Sequence, residues 1–292
     1  MKTCLQRVGL PLVLLTLLTS AASAQRILDW PFRTTAGPES TIRGAEAAFW
    51  NPAAISVGST RGEVIIADQR TPDIIGVGGF AAVAAWRLDT RTTLAAGYQH
   101  VSIDDIGETS TSPLPDAGAA TFSISEDQVA VGASHALGPA ITAGAVVRYS
   151  RSDESGLPES TTGLGAGFLF APAIRAEPVL AVSILTHEDG VRYAGGLDFG
   201  RAFGSAVRLR AGYGARGGEK LALEHRVGAT IDWRRTIAVT GGVMTADTGE
   251  RSWEPVMGAS LRVSRYELGV LRELLANDFG AAYSFRLRFG FQ

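Results

Sequence analysis

The sequence predicts an all-β protein, a transmembrane antiparallel β-barrel of about fourteen strands preceded by an irregular N-terminal segment. Three observations carry that expectation. Apolar and polar residues alternate along most of the chain, the last fifteen residues form an aromatic alternating run, and after Gln25 the longest apolar stretch, around Gly76 to Trp86, is about half the ~20 residues of a membrane-spanning helix. A chain that sits in a membrane without such helices must close into a barrel, because lipid satisfies no backbone hydrogen bonds.

The closing run is the clearest element. From Phe279 onward the apolar residues fall on alternate positions (Phe279, Ala281, Tyr283, Phe285, Leu287, Phe289, Phe291), with Gly280, Ser284, Arg286, Arg288, Gly290 and Gln292 between them. A period of two is a strand with one greasy and one polar face. In a soluble sheet the aromatic face would pack on a core; in an outer-membrane barrel it faces lipid and forms an interface girdle. The run resembles the closing strand and assembly signal of bacterial outer-membrane barrels, which implies the barrel assembly machinery as a partner and outer-membrane lipid and lipopolysaccharide as surroundings. It departs from that pattern in ending on Gln292 instead of an aromatic.

The N-terminus agrees. Lys2 and Arg7 precede an apolar run from Val8 to Leu18, and Ala22-Ser23-Ala24 gives a small-x-small cleavage pattern. Residues 1–24 are therefore expected to be a secretory signal peptide, cut before Gln25. The only cysteine, Cys4, lies there without a lipobox, so the mature chain is expected to carry no disulfide and no thiolate metal site. A formal net charge of −2 gives no argument for nucleic acid.

Residues 25–60 do not alternate and stand ahead of the barrel, residues 61–292, as a segment that the resemblance carried by Gly44–Ile55 implies to be a plug. The segment holds Trp30-Pro31-Phe32, Gly37-Pro38, a helix-compatible run from Ile42 to Phe49, and Asn51-Pro52, where proline forbids further helix. Beyond it, strand-like stretches run over 63–68, 76–87, 92–102, 119–125, 128–137, 141–152, 162–170, 179–186, 191–203, 206–216, 224–233, 236–246, 256–265 and 266–274, followed by the closing run. Such barrels have even strand numbers, so fourteen is expected, with Ala119–Ser125 or Glu63–Asp68 as the surplus.

Alternation is sharpest in the C-terminal half. Val207, Leu209, Ala211 and Tyr213 oppose Arg208, Arg210, Gly212 and Gly214; Val227, Ala229, Ile231 and Trp233 oppose Arg226, Gly228, Thr230 and Asp232. Glycine, hydroxyl and arginine on the second face suit a lumen, and after the signal peptide the only lysine is Lys220. Gly138-Pro139 and Arg234-Arg235 read as tight turns, Asp104–Gly118 and Asp153–Ser160 as long acidic outer loops. No repeat of about 40 residues marks a propeller.

Candidate sites are few. Gly212-Tyr-Gly214-Ala-Arg-Gly217 has dinucleotide spacing but enters no helix, so no nucleotide cofactor is expected. His100, His135, His187 and His225 lie on separate stretches and suggest no zinc site. Ser134 and His135 are strand neighbours on opposite faces and cannot act as nucleophile and base. No catalytic constellation emerges, and a non-enzyme is expected. Asp104-Asp105, Glu126-Asp127 and Asp153-Glu154 read as solvated loop charges, with a lipopolysaccharide-bridging cation as the functional alternative. Arg208, Arg210, Arg226, Arg262, Arg286 and Arg288 all fall on the polar face and define a basic lumen wall. They either pair with carboxylates such as Asp232, Glu39 and Glu46 or attract an anionic solute.

At Gly44 to Ile55 the sequence reads Gly-Ala-Glu-Ala-Ala-Phe-Trp-Asn-Pro-Ala-Ala-Ile. This resembles the Asn-Pro-Ala segment near the mature N-terminus of FadL-type long-chain fatty acid transporters and of the related PorV/PorQ outer-membrane proteins. The resemblance implies a lumen-plugging segment anchored by Phe49, Trp50, Asn51 and Pro52, about fourteen strands, and no catalysis. It also implies gated passage or holding of a hydrophobic or amphipathic ligand or, on the PorV/PorQ side, a non-diffusive barrel working with type IX secretion proteins. The glycine-rich run that usually leads into the motif is replaced by Ala36-Gly37-Pro38-Glu39-Ser40-Thr41-Ile42-Arg43, and the chain is short for a FadL-type transporter, which favours the PorV/PorQ side.

Overall fold

The computed structural model describes residues 35–56, 60–72, 76–107, 121–154, 157–187, 190–219, 221–246, 252–274 and 280–292. The expected signal peptide, residues 1–24, and Trp30-Pro31-Phe32, Lys220 and Phe279 lie outside these residues. Fourteen strands form one closed antiparallel barrel. They are β1 (Gly62–Arg70), β2 (Val77–Arg87), β3 (Thr92–Gly107), β4 (Thr121–Ala136), β5 (Ile141–Glu154), β6 (Leu157–Phe170), β7 (Val179–His187), β8 (Gly190–Phe203), β9 (Val207–Gly218), β10 (Glu224–Trp233), β11 (Ile237–Ala246), β12 (Ser252–Val263), β13 (Tyr266–Leu274) and β14 (Ala281–Phe291). Each strand pairs with its sequence neighbours. β14 then closes on β1 in register from Gly62↔Phe291 to Arg70↔Tyr283.

Strand number matches expectation, and the surplus stretch is resolved. Thr121–Ser125 and Gln128–Ala136 belong to a single strand, β4, with Ala119 and Ala120 outside the described residues, while Glu63–Asp68 is the core of β1. Glu126-Asp127 therefore lies in mid-strand rather than in a loop. The expected outer loop Asp153–Ser160 is also corrected, since Asp153 pairs with Pro158 and Glu154 with Leu157 in the β5–β6 ladder. The physical reason is that strands reaching beyond the bilayer meet water on both faces. Polarity there marks exposure, not loss of the ladder. Asp104 likewise falls within β3, and the remainder of the expected Asp104–Gly118 loop beyond Gly107 lies outside the described residues.

The two faces sort as the alternation requires. Val131, Leu164, Val182, Val227, Val239 and Leu268 point outward and are exposed, far too much apolar surface for a water-soluble monomer. Their neighbours point into the lumen. Arginines stack on outward aromatics at the end that holds Gly62 and Phe291. Arg61 lies over Trp86, Arg201 over Phe203, and Arg265 over both Tyr266 and Phe289, at 5.0 to 5.7 Å from the ring centroids. At the opposite end Tyr98 donates to Asp127 at 2.5 Å, and Tyr213 meets the Nδ1 of His225 at 2.7 Å. These two girdles bracket the apolar belt of an outer-membrane barrel.

The end carrying Gly62 and Phe291 also carries the tight turns. Arg234 and Arg235 have φ of 52° and 57°, and the Thr236 N–H donates to the Trp233 carbonyl at 2.9 Å, a type I′ turn whose twist suits a hairpin. Asp232 does not pair with the arginine wall as expected. Its carboxylate accepts the Arg235 N–H at 2.8 Å and caps this turn.

Candidate functional site

Residues 35–56 run across the inside of the barrel as a chain of single-turn 3₁₀ helices, Glu39–Thr41, Ala45–Phe49 and Pro52–Ala54. Proline explains the punctuation. Asn51 is extended ahead of Pro52, ends the second turn and starts the third by accepting the Ala53 N–H on its side-chain oxygen at 3.1 Å. Its amide donates to the Ser40 carbonyl at 2.9 Å, tying the first turn to the third.

Phe49, Trp50, Asn51 and Pro52 are all buried. Phe49, Trp50 and Ile55 belong to one apolar cluster with Ile65, Val83, Ala85, Ala95, Ala130, Val146, Leu169, Val179 and Ala181 on β1 to β7. Burying Phe49 and Ile55 contributes about 2 kcal/mol each. The wall is shaped to receive this segment. A Cβ at Gly97 would strike the Phe49 ring, one at Gly144 the Pro52 backbone, one at Gly167 the Asn51 side chain, and one at Gly196 the Ser40 hydroxyl. Further round, Gly214 faces Pro38 and Gly228 faces the Ala36 carbonyl. Glycine in a strand leaves room for a group that lies close against it, here on six strands at once.

The six expected arginines all face inward, in three groups. Arg226 pairs with Glu39 at 2.8 Å and donates to the Thr35 carbonyl at 3.2 Å. Arg262, Arg286 and Arg288 converge on acidic residues. Glu267 takes Arg262 at 2.5 Å and Arg286 at 2.7 Å, Glu46 takes Arg286 at 3.1 Å, and Glu63 takes Arg288 at 3.3 Å. Glu63 also accepts the Ala45 N–H at 2.8 Å, and Gly44, at φ 125°, lets the Arg288 guanidinium pass close to the chain. Arg208 and Arg210 stand apart, paired with Glu177 and Asp198.

Several participants were not singled out from sequence. Arg216 meets both Glu39 at 3.4 Å and Glu224 at 2.5 Å and lies over the Trp50 ring at 5.5 Å. It continues the alternation Arg208, Arg210, Gly212, Gly214, which was the available signal. Arg148 is buried on β5 and donates to the Phe49 carbonyl and, at 3.3 Å, to the Ala48 carbonyl, so it satisfies the free end of the second turn. Ser134 donates to the Ile55 carbonyl at 2.7 Å, while His135 points outward to Thr92. Between the segment and β9–β14 remains a cavity of about 300 Å³ lined by Arg43, Thr41, Asp198, Arg208, Arg210 and Thr240, among others.

No family model matches the chain, and no curated protein matches it in sequence. Among solved structures it is similar to the Pseudomonas putida toluene transporter TodX, with a TM-score of 0.62 at 11% identity over 90% of this chain and 98% of that one. A Pseudomonas aeruginosa FadL homologue gives 0.56 at 12% identity, over 90% and 100% of the two chains. The Acinetobacter baumannii outer membrane protein Omp33 gives 0.53 at 8% identity, over 80% and 98%. At these identities the likeness is one of fold. Barrel, lipid-facing belt and likeness together define the class, a fourteen-stranded outer-membrane β-barrel with the architecture of FadL-type proteins.

Proposed function

We propose that the protein is an outer-membrane transport barrel held closed at rest by its own residues 25–60, admitting or holding an amphipathic or hydrophobic small molecule when that segment shifts. The observation that carries this reading is the seat of residues 35–56. They are wedged against a glycine-lined wall on β3 to β10 and clamped by Glu39 and Glu46 to arginines of β9, β10 and β14. Likeness in fold to a protein described as a toluene transporter supports a hydrophobic solute. A segment held partly by charge can be released by a ligand that competes for those charges.

The test is single-channel conductance in planar bilayers. The full chain should be closed or nearly so, and deletion of residues 25–60 should open it. The Glu39→Gln/Glu46→Gln double variant, which leaves the segment in place, should show intermittent openings. Unchanged conductance in both, with the barrel folded, would sink the reading. A second reading, of PorV/PorQ type, is a non-transporting barrel that works with secretion proteins. The fitted glycine wall favours it, because a wall shaped to one segment suits a fixed wedge. Stable co-purification with large envelope proteins and a lumen without lipid would move the conclusion there.

A further inference from the structure

Two arginines of the lumen have no carboxylate partner among the described residues: Arg148, which donates to the Phe49 and Ala48 carbonyls, and Arg43. Arg43, between the first and second 3₁₀ turns, sends its side chain into the 300 Å³ cavity. Among the described residues its guanidinium makes no hydrogen bond or ion pair, and only its carbonyl is engaged, by Arg288 at 3.2 Å. The nearest arginines are already matched, Arg208 by Glu177 and Arg210 by Asp198. Arg43, itself exposed on the lumen side, is therefore a cation with no paired carboxylate at this cavity, open to an anion that enters it. Desolvation, and after it the charge of Arg210, lower its pKa from the ordinary arginine value, as expected of a cation with no anion of its own.

The rest of the lining says what could balance it. Thr41, Thr230, Thr240 and Ser260 present hydroxyls. The carboxylates of the lining, Glu46, Asp198 and Glu267, are engaged by arginines and Asp232 by the Arg235 N–H, and Ile42, Val270 and Leu271 give an apolar border. We propose that this cavity is a binding site for a small oxyanion, a carboxylate or phosphate group, held chiefly by the Arg43 guanidinium. Its planar fork offers two parallel N–H groups to two oxygens of either anion, and Arg208 and Arg262, both nearly half exposed, stand where such an anion would enter. The site goes beyond the transport reading and does not depend on it, since a barrel that never conducts would still bind. The same chemistry could belong to a free solute or to the head of an amphiphile.

The experiment uses the folded full-length barrel in detergent micelles, with calorimetric titration of sodium acetate, sodium hexanoate and inorganic phosphate at fixed ionic strength. Saturable binding of at least one anion is expected. It should fall at least tenfold in Arg43→Gln, recover in part in Arg43→Lys, and be unchanged in Arg235→Gln, a turn arginine outside the lumen. Hexanoate at least tenfold tighter than acetate would assign the site to the head of an amphiphile, and equal affinities to a free anion. Folding is read from heat-modifiable migration on gels. If Arg43→Gln does not fold, Arg43→Lys decides, because loss of the fork should weaken binding several-fold. No saturable heat from any of the three anions, or wild-type affinity in the Arg43 variants, overturns the proposal.

Discussion

The two halves of the lumen wall hold the same segment by different means. On β1 to β7 the contacts are mainly apolar and closely fitted, with Glu63, Ser134 and Arg148 adding hydrogen bonds to the segment's backbone. Phe49, Trp50 and Ile55 press on Ile65, Val83, Val146 and Leu169, and glycines remove the side chains that would intrude. On β8 to β14 the fit at Gly196, Gly214 and Gly228 is joined by ion pairs, with Glu39 and Glu46 reaching arginines across the lumen, and there the cavity remains. Dispersion and burial fix a position and lose strength steeply with small displacements. Charge pairs tolerate displacement and can be exchanged for another anion. On the proposed transport reading the fitted side is the hinge and the charged side the latch, so movement should begin at the charges.

Breaking the fitted side should cost most. Phe49→Ala removes the ring over Gly97 and should destabilise the barrel by about 3–5 kcal/mol, measured as a lower urea midpoint in micelles. On the charged side, Glu39→Gln removes the carboxylate that Arg216 and Arg226 share. It should cost about 3 kcal/mol and make the segment sensitive to added protease while the strands stay resistant. Gly144→Ala tests the shaped wall. Its new methyl meets the Pro52 backbone, which cannot yield as a flexible side chain would, and about 1–3 kcal/mol should be lost.

The smallest effect should come from a turn that touches neither side. Asp89 accepts the N–H of Arg91 at 2.7 Å and of Thr92 at 2.8 Å, which hold its carboxyl below the usual aspartate range. A depressed folded-state pKa stabilises above the unfolded value and is lost as pH falls through the folded one. The β2–β3 turn should therefore loosen only in acid, below the ordinary aspartate pKa. Hydrogen exchange at Arg91 and Thr92 should show this, and Asp89→Asn should abolish the pH dependence with little change in overall stability.

Much of the barrel was legible because alternation is a local signal. Val207 to Tyr213 and Val227 to Trp233 face lipid as their spacing requires, and fourteen strands follow once β4 is read as continuous. Stretches beyond the bilayer were misread as loops, since water on both sides erases the contrast that alternation depends on. In the lumen, the inward direction of Arg208, Arg210, Arg226, Arg262, Arg286 and Arg288 could be read, but most of their partners could not. Glu39 and Glu46 were foreseeable as carboxylates of a segment folded inside. Glu177 and Asp198 reach Arg208 and Arg210 through turn geometry and strand register, which no local pattern encodes. Arg262 and Glu267 were an exception left unread, since the short Ser264-Arg265 turn places them opposite one another. The glycines were counted as lumen filler, although a run of inward glycines on successive strands signals a group lying close against them.

The most direct test of the two-sided account is cysteine accessibility in the folded barrel, using a chain otherwise free of cysteine. Ala47→Cys lies on the fitted side at a fully buried position, and Arg43→Cys lies on the cavity side. The account requires rapid maleimide labelling at position 43 and protection at position 47 by at least a hundredfold. Adding Glu39→Gln and Glu46→Gln should raise labelling at 47 only after 43 is already fully reactive. Equal labelling of the two sites in the unaltered background would mean that the segment is not seated against β1 to β7, and would contradict the account.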